Sequence, residues 1–452
     1  MSVVSYKCAT APGKLPVLGN LASLLINPLS FFSALPSYGD LVWIGLGPTP
    51  ALVVCHPDLI HKVLTDDRTY AKGGVFIQRV RTLVGDSITT ADRPQHRRQR
   101  RMMQPAFHTD RHSQYARIMV EETKAALETW PTDESLEIYP AMQQITTRIA
   151  ARTMFASPME PEVIDESCRA LGEIISGSGT RMILPSPLAR IATPGKRRFD
   201  DARRRMRNIT NRLVDEYKAS GKDHHDLLSL LLFARDEEGR PLSQQEIADQ
   251  VITIFLGSVE TTASTLGWCL TLLASHPDLE ERVHHEVTSV LQGQVPTVED
   301  LDRLPLVKGT VLESLRLHPP GWLLTRVTSS VATLGGQSVP AGTTVIYSPY
   351  LIHRLPSLFP NPEKFDPSRW SEDRRIPRGG FIPFGAGSRQ CIGDNFTMIE
   401  VPLVLAMLAA CYRIAPCPSS PSPARRIQFL HVPSKLRVRV TKAPNRPGVS
   451  SY

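Results

Sequence analysis

Phe384-Gly385-Ala386-Gly387-Ser388-Arg389-Gln390-Cys391-Ile392-Gly393 is a glycine-punctuated loop that presents one cysteine just ahead of a helical run. Glycines at 387 and 393 permit special backbone angles and close approach to a flat ligand, and amides near a helix start hydrogen-bond a thiolate and stabilise it. Such bonds tune a sulfur that serves as an axial metal ligand. A lone cysteine is more often a small buried apolar residue, so the loop gains meaning only from what accompanies it.

Around it lies a chain of 452 residues, ample for a large core, with 41% apolar and 21% charged residues in the ordinary globular range. Seven cysteines (Cys8, Cys55, Cys168, Cys269, Cys391, Cys411, Cys417) are scattered, odd in number and free of any CxxC pair. That argues against both a disulfide framework and a zinc site and fits a reducing cytoplasm. Leu15 to Leu35 is apolar-rich but broken by Pro16, Gly19, Asn20, Asn27 and Pro28, so neither a membrane anchor nor a secretory signal is expected. The net charge of +8 would attract nucleic acid, an acidic membrane or an acidic protein alike. Its clusters, Arg97 to Arg101 and Arg203 to Arg207, have helical surroundings and read as solvated helix faces, with no nucleic-acid motif beside them.

Period-two patterning at Asp40 to Gly47 and Ala51 to Cys55 predicts a hairpin joined through Gly47-Pro48-Thr49-Pro50. From His56 to about residue 318 the apolar spacing is helical. A second strand-rich patch, Arg326 to Ile346, carries turn signals at Gly335-Gly336 and Pro340-Ala341-Gly342. The most legible helix runs from about Ser243 to Ser275, opened by the capping box Ser243-Gln-Gln-Glu246 and closed before His276-Pro277. Apolar residues on several of its faces send it through the interior.

Phe384-x-x-Gly387-x-Arg389-x-Cys391-x-Gly393 resembles the haem-binding signature of the cytochrome P-450 family. A Glu-x-x-Arg pair alone is a routine surface ion pair, yet Glu313-Ser-Leu-Arg316 stands in the family's order and distance from Cys391. Phe365-Asp366-Pro367-Ser368-Arg369-Trp370 is similar to the loop that completes that pair, which implies Arg369 as the third member. Ser368 stands where the family has an acid and Trp370 where it has Phe. In the long helix, Gly257-Ser258-Val259-Glu260-Thr261-Thr262 resembles the family's acid-alcohol motif, implying Glu260 and Thr261 as the catalytic pair that brings protons into a dry pocket to cleave dioxygen. The alternative is a Thr-rich stretch whose hydroxyls satisfy backbone carbonyls. Ser258 replaces a glycine that opens a groove for oxygen and water in the family, which puts that water network in question.

The resemblance covers nearly the whole chain, from Leu15-Pro16-Val17-Leu18-Gly19 to the strand-like stretch Ile427 to Val432. It implies one haem domain over residues 1–452, mainly α with small β-sheets, nominally β-rich at 15–56 and 326–347 and α-rich at 57–318 and 394–412. Haem b (iron protoporphyrin IX) would sit between the long helix and the cysteine loop. Cys391 would be the axial ligand of the iron, His96, Arg100, Arg326 and Arg389 the partners of the propionates, and Phe384, Gly387 and Gly393 parts of the cofactor cradle. The implied activity is insertion of one oxygen atom from O2 into an unactivated C–H bond.

Implied pocket walls at 75–90, 172–190, 251–262, 320–325 and 427–431 are largely apolar (Val75, Phe76, Ile77, Ile88, Ile175, Met182, Ile183, Leu184, Phe255, Trp322, Leu323, Leu324, Phe429), with Arg79 and Arg181 as charged candidates. Many of these are equally well read as core. Gly39 to Val42, Asp66 to Gly74 and His96 to His108 are similar to bacterial terpene hydroxylases such as pentalenene oxygenase, which implies a cyclic sesquiterpene or diterpene of secondary metabolism. With no segment left for a flavin or iron-sulfur centre, electrons are expected from a ferredoxin and its NAD(P)H-dependent reductase, met by Arg97, Arg98 and Arg101. The competing readings are a haem-thiolate peroxygenase or isomerase, a non-catalytic haem-binding protein and, remotely, a basic nucleic-acid binder.

Overall fold

Ser243 and Glu246 close on each other in the computed structural model. The Ser243 hydroxyl accepts the Glu246 amide at 3.2 Å and the Glu246 carboxylate accepts the Ser243 amide at 2.9 Å, so the expected capping box starts the longest helix. The structure describes residues 5–131, 133–154, 160–183, 193–223, 226–370, 375–418, 424–427, 430–434 and 436–443. In chain order the helices are α1 (Leu21–Ile26), α2 (Pro28–Ala34), α3 (Pro57–Thr65), α4 (Gly74–Val84), α5 (Arg93–Met103), α6 (His112–Glu128), α7 (Ile138–Met154), α8 (Pro161–Ile183), α9 (Pro194–Ser220), α10 (Leu227–Phe233), α11 (Gln244–Ala274), α12 (Pro277–Leu291), α13 (Pro305–Leu317), α14 (Pro349–Ile352) and α15 (Asp394–Cys411). The strands are β1 (Cys8–Thr10), β2 (Leu41–Leu46), β3 (Thr49–Val54), β4 (Tyr70–Ala71), β5 (Glu134–Glu137), β6 (Leu324–Thr328), β7 (Ala332–Leu334), β8 (Gln337–Val339), β9 (Thr344–Tyr347), β10 (Tyr412–Pro416), β11 (Ala424–Ile427), β12 (His431–Ser434) and β13 (Arg437–Lys442).

The 31 residues of α11 give a rod of about 46 Å, buried on several faces as its sequence requires. It packs against α7, α9, α13 and α15. Helix α15 is apolar all round and is long and apolar enough to cross a bilayer, at a mean hydropathy of 1.4, yet 67% of it is buried within the fold.

One sheet, ordered β1-β2-β3-β9-β6-β4, flanks the helices. Its β2–β3 hairpin pairs Leu46 with Thr49, so the turn is only Gly47-Pro48 rather than the expected four residues; Gly47 at φ 66° supplies the left-handed step that a tight turn needs. The sheet also begins earlier than the expected residue 15, because β1 adds parallel to β2. Strand β9 lies parallel to β3 and antiparallel to β6, which sets Arg326 opposite Val345. The Gly335-Gly336 signal is the turn between β7 and β8, with φ of 56° and 79°. The stretch expected as one strand from Ile427 to Val432 is two arms, β11 and β12, paired antiparallel, with Phe429 outside the described residues. A third sheet, β10-β13-β5, places a strand inside the region expected to be helical.

Candidate active site

The Cys391 loop is pinned from behind. Gly387, at φ 71°, passes so close to α3 that a β-carbon there would lie 2.4 Å from the Leu64 carbonyl oxygen. Its freedom therefore serves packing against backbone and not approach to a ligand, and Gly387 is not part of the cavity wall. Gly393 has an ordinary φ of −101° and caps α15. Gly385, at φ 71°, is the other residue of the loop that needs a left-handed backbone. The Ser388 hydroxyl donates to Asp67 at 2.6 Å, and the Cys391 amide donates to the Phe384 carbonyl at 2.9 Å. Cys391 opens onto an interior cavity of about 380 Å³. Burial pushes its thiol up, while the Gly393 amide, donating to the sulfur, and the nearby Arg100 pull it down.

His96, Arg100, Arg326, Arg389, Phe384, Gly393 and Thr261 line the same cavity. They arrive from separate elements. Asp92 caps α5 and puts His96 and Arg100, four residues apart, on one face. Alternation along β6 turns Arg326 inward, and Arg389 precedes the cysteine. Arg100 also donates to the Gln390 carbonyl at 2.6 Å, and Arg389 to the Ala91 carbonyl at 2.9 Å. One further cation, Lys72, completes the rim. Burial, then Arg326 and Arg389, hold Lys72 far below its usual range. Burial, then Arg389, Arg100 and Lys72, push His96 down to about 3, and burial followed by Arg326 lowers Arg389 to about 10.

Among the described residues, no carboxylate forms an ion pair with Lys72, His96, Arg326 or Arg389, and His96 Nδ1 and Arg389 Nε are buried with no hydrogen-bond partner. Basic side chains that converge on one cavity and hold down one another's protonation, with no carboxylate bonded to them, fit a ligand that carries carboxylates, as the two propionates of haem do.

Thr261 faces the cavity from α11, its hydroxyl donating to the Gly257 carbonyl at 2.5 Å. Ser258 lines the cavity too, with its hydroxyl on the Phe255 carbonyl at 3.3 Å. Glu260 does not join them. It is wholly buried, outside the cavity wall, and its carboxylate accepts from Tyr139 Oη and, at 2.7 Å, from Gln143 Nε2 of α7. Consecutive residues of a helix point about 100° apart, and here that step turns Thr261 to the cavity and Glu260 to α7. Burial raises Glu260 to about 7 against the pull of its two donors.

Behind the cysteine loop, Glu313 and Arg316 are fully buried and bonded bidentately at 2.7 and 2.8 Å. Arg369 adds a bond at 3.2 Å, the Asp366 amide one at 3.1 Å and Trp370 Nε1 one at 3.0 Å. Trp370 thus supplies a donor that a phenylalanine in its place lacks. Arg316 spends its remaining hydrogens on the carbonyls of His353, Pro362 and Lys364.

The expected apolar walls divide. Ile88 and Leu324 line the cavity, with Ile254 and Leu430. Ile88 is held there by its amide on Gln250 Oε1 at 3.0 Å. Phe255 and Ile77 are core, Trp322 and Leu323 pack beside the sheet, and Val75 is 59% exposed. Arg79 does not line the cavity. Leu184 and Phe429, and the side chains of Ile175, Arg181, Met182 and Ile183, lie outside the described residues. Arg98 is taken up by Asp236 at 2.6 Å and Glu246 at 2.8 Å, and Arg101 pairs with Glu237, which leaves Arg97 exposed. In a polar hollow of about 780 Å³ between α8 and α9, Arg205 is paired to Glu166 and Glu173 and Arg204 to Asp201.

A family model described as Cytochrome P450 matches residues 10–440. Cyclooctat-9-en-7-ol 5-monooxygenase of Streptomyces melanosporofaciens is 43% identical over 419 residues, 92% of this chain and 91% of that protein. Cyclooctatin synthase of the same organism is 41% identical, covering 92% of each chain. Pentalenene oxygenase of Streptomyces avermitilis is 37% identical over 443 residues, 98% of this chain and 99% of its own length.

Proposed function

Because this chain belongs to the cytochrome P450 family of haem-thiolate monooxygenases, we propose that it hydroxylates a cyclic sesquiterpene or diterpene at an unactivated carbon. The observation that carries the site assignment is the meeting of Cys391 with Lys72, His96, Arg326 and Arg389, none of them ion-paired among the described residues, in one cavity under α11. Haem b, when bound, supplies the one-electron and dioxygen chemistry of the reaction.

Cys391 is the residue that would ligate its iron. Lys72, His96, Arg100, Arg326 and Arg389 would hold its propionates, and Phe384 and Gly393 would border the thiolate. Thr261 holds a hydroxyl at the cavity wall and Glu260 stores a proton one residue away, so the pair moves protons from the protein into the pocket. Ile88, Ile254, Leu324 and Leu430 exclude water and orient an apolar guest.

The terpene assignment is supported by the names of the relatives and by these apolar walls. Electrons come, in this reading, from a ferredoxin and its NAD(P)H-dependent reductase, with Arg97 as the exposed arginine of α5 open to an acidic carrier. We read residues 1–452 as one haem domain. A peroxide-driven variant of the same chemistry is the second reading, because Ser258 puts a hydroxyl into the cavity beside Thr261.

The test is the absorption spectrum of the dithionite-reduced, carbon monoxide-bound protein beside Cys391→Ser. A strongly red-shifted Soret band in the parent, lost in the variant, is expected; an unshifted band in folded parent protein refutes the thiolate. Pentalenene and cyclooctat-9-en-7-ol then serve as probes for a high-spin shift and a product one oxygen heavier. Turnover of linear fatty acids with neither terpene bound would refute the terpene assignment, and turnover with peroxide but not with reduced ferredoxin would favour the second reading.

A further inference from the structure

Glu260 is held by two neutral side chains. Tyr139 Oη donates to one carboxylate oxygen and Gln143 Nε2 to the other at 2.7 Å, and no lysine or arginine among the described residues pairs with it. Tyr139 and Gln143 stand four apart on α7 and so share a face. The register of that face on α11 is fixed by Thr146, whose hydroxyl donates to the Val259 carbonyl at 3.2 Å. Glu260 is entirely buried, whereas Tyr139, in the first turn of α7, is only part-buried.

The two donors are chemically unequal. An amide nitrogen only donates, while a phenol both donates and accepts. When Glu260 carries a proton, Tyr139 can accept it where it stands, whereas Gln143 accepts only by turning its amide over, and the Tyr139–Glu260 bond survives in either charge state by reversing direction. Burial also raises Glu260 to about 7, so near neutrality both states are populated.

We propose that Tyr139 is a positioning residue that keeps Glu260 turned out of the cavity and returns a proton to it after each delivery toward Thr261. Burial and then Glu260 hold the Tyr139 phenol well above its ordinary range, so no phenolate forms on the way. Glu260 releases a proton toward the Thr261 side and is left as carboxylate; the Tyr139 hydroxyl proton then passes to that carboxylate only as the Tyr139 oxygen takes its replacement from a solvent or buffer acid at the start of α7, in one concerted transfer. Tyr139 ends unchanged, and the proton consumed in the pocket has come from outside. The inference rests on the reading of Glu260 and Thr261 as the proton-delivery pair.

The experiment compares Tyr139→Phe, Glu260→Gln and the double variant as haem-loaded, full-length proteins, with the terpene that the parent hydroxylates. Tyr139→Phe should lower product per electron several-fold, with peroxide rising to match. It should lower kcat while the spectral Kd for the terpene stays within about twofold, and raise the solvent deuterium isotope effect on kcat. Added to Glu260→Gln it should change nothing further. A substrate-free arm reads the bond itself: the infrared carboxyl band lost in Glu260→Gln should shift in Tyr139→Phe. Full coupling and an unchanged isotope effect in Tyr139→Phe, where Glu260→Gln uncouples, overturn the role of Tyr139 alone; full coupling in Glu260→Gln overturns the underlying pair.

Discussion

Two clusters of buried charge lie within this fold, and they differ in how they are completed. Around Glu313 every charge has its partner in the chain: two arginines, an indole and a backbone amide surround one carboxylate, and Arg316 ends on carbonyls. Around the cavity, Lys72, His96, Arg326 and Arg389 converge, and among the described residues no carboxylate is ion-paired to any of them, Asp67 and Asp92 acting only from a distance. Burial penalises charge in both sets. The first is finished by the polypeptide and is therefore structural; the second is left open, which marks it as a place for a ligand.

Breaking the closed cluster should have the largest effect. Glu313→Gln leaves two buried arginines uncompensated and should cost about 3–5 kcal/mol in urea unfolding, equally with and without haem. Lys72→Met separates the clusters more sharply, because its effect should change sign: the haem-free chain gains stability, while haem transfer to apomyoglobin quickens roughly tenfold or more as a charged hydrogen bond is lost. A rise in stability in both states would remove Lys72 from the propionate rim.

The pH response should split in the same way. Haem-free native protein refuses a proton on His96 that the unfolded chain accepts, so its stability should fall as pH drops from 6.5 toward about 3 and be flat on this account above 6.5. Bound propionates should flatten that slope, a difference that thermal melts at stepped pH would register. Glu260 has the opposite sense. As its proton is lost, the product-to-peroxide ratio should fall as pH rises through about 7. The smallest effect expected is for Trp370→Phe, at about 1 kcal/mol in the same unfolding assay, for one donor withdrawn from Glu313.

Much of this was legible in the sequence because motif spacing encodes it. The order Glu313, Arg316, Arg369, Cys391 and the four-residue step from His96 to Arg100 are one-dimensional signatures of a three-dimensional cluster. Lys72 left no such trace, since one lysine in a Gly-flanked segment reads as a solvated side chain until the strand beside it is placed. The divergence of Glu260 from Thr261 was available in principle from helical geometry, but its partners Tyr139 and Gln143 were not, because nothing local ties α7 to α11. Phe255 and Trp322 resemble Ile88 and Leu324 in apolar character, and only packing separates core from wall. Gly387 was expected to admit a ligand; the demand on it comes instead from the carbonyl of Leu64, a neighbour remote in sequence.

The rim of the cavity is assembled from both ends of the chain, Lys72 and His96 from one, Arg326 and Arg389 from the other. Contacts between such distant segments require longer loops to close than those that bring α9 and α13 onto α11, so the rim should form after that packing. Arg326 and Arg389 oppose each other's charge there, and an anion removes that opposition. Haem in this light is the final residue of the fold as much as its reagent: uptake measured by Soret absorbance should trail the far-ultraviolet signal of the helices.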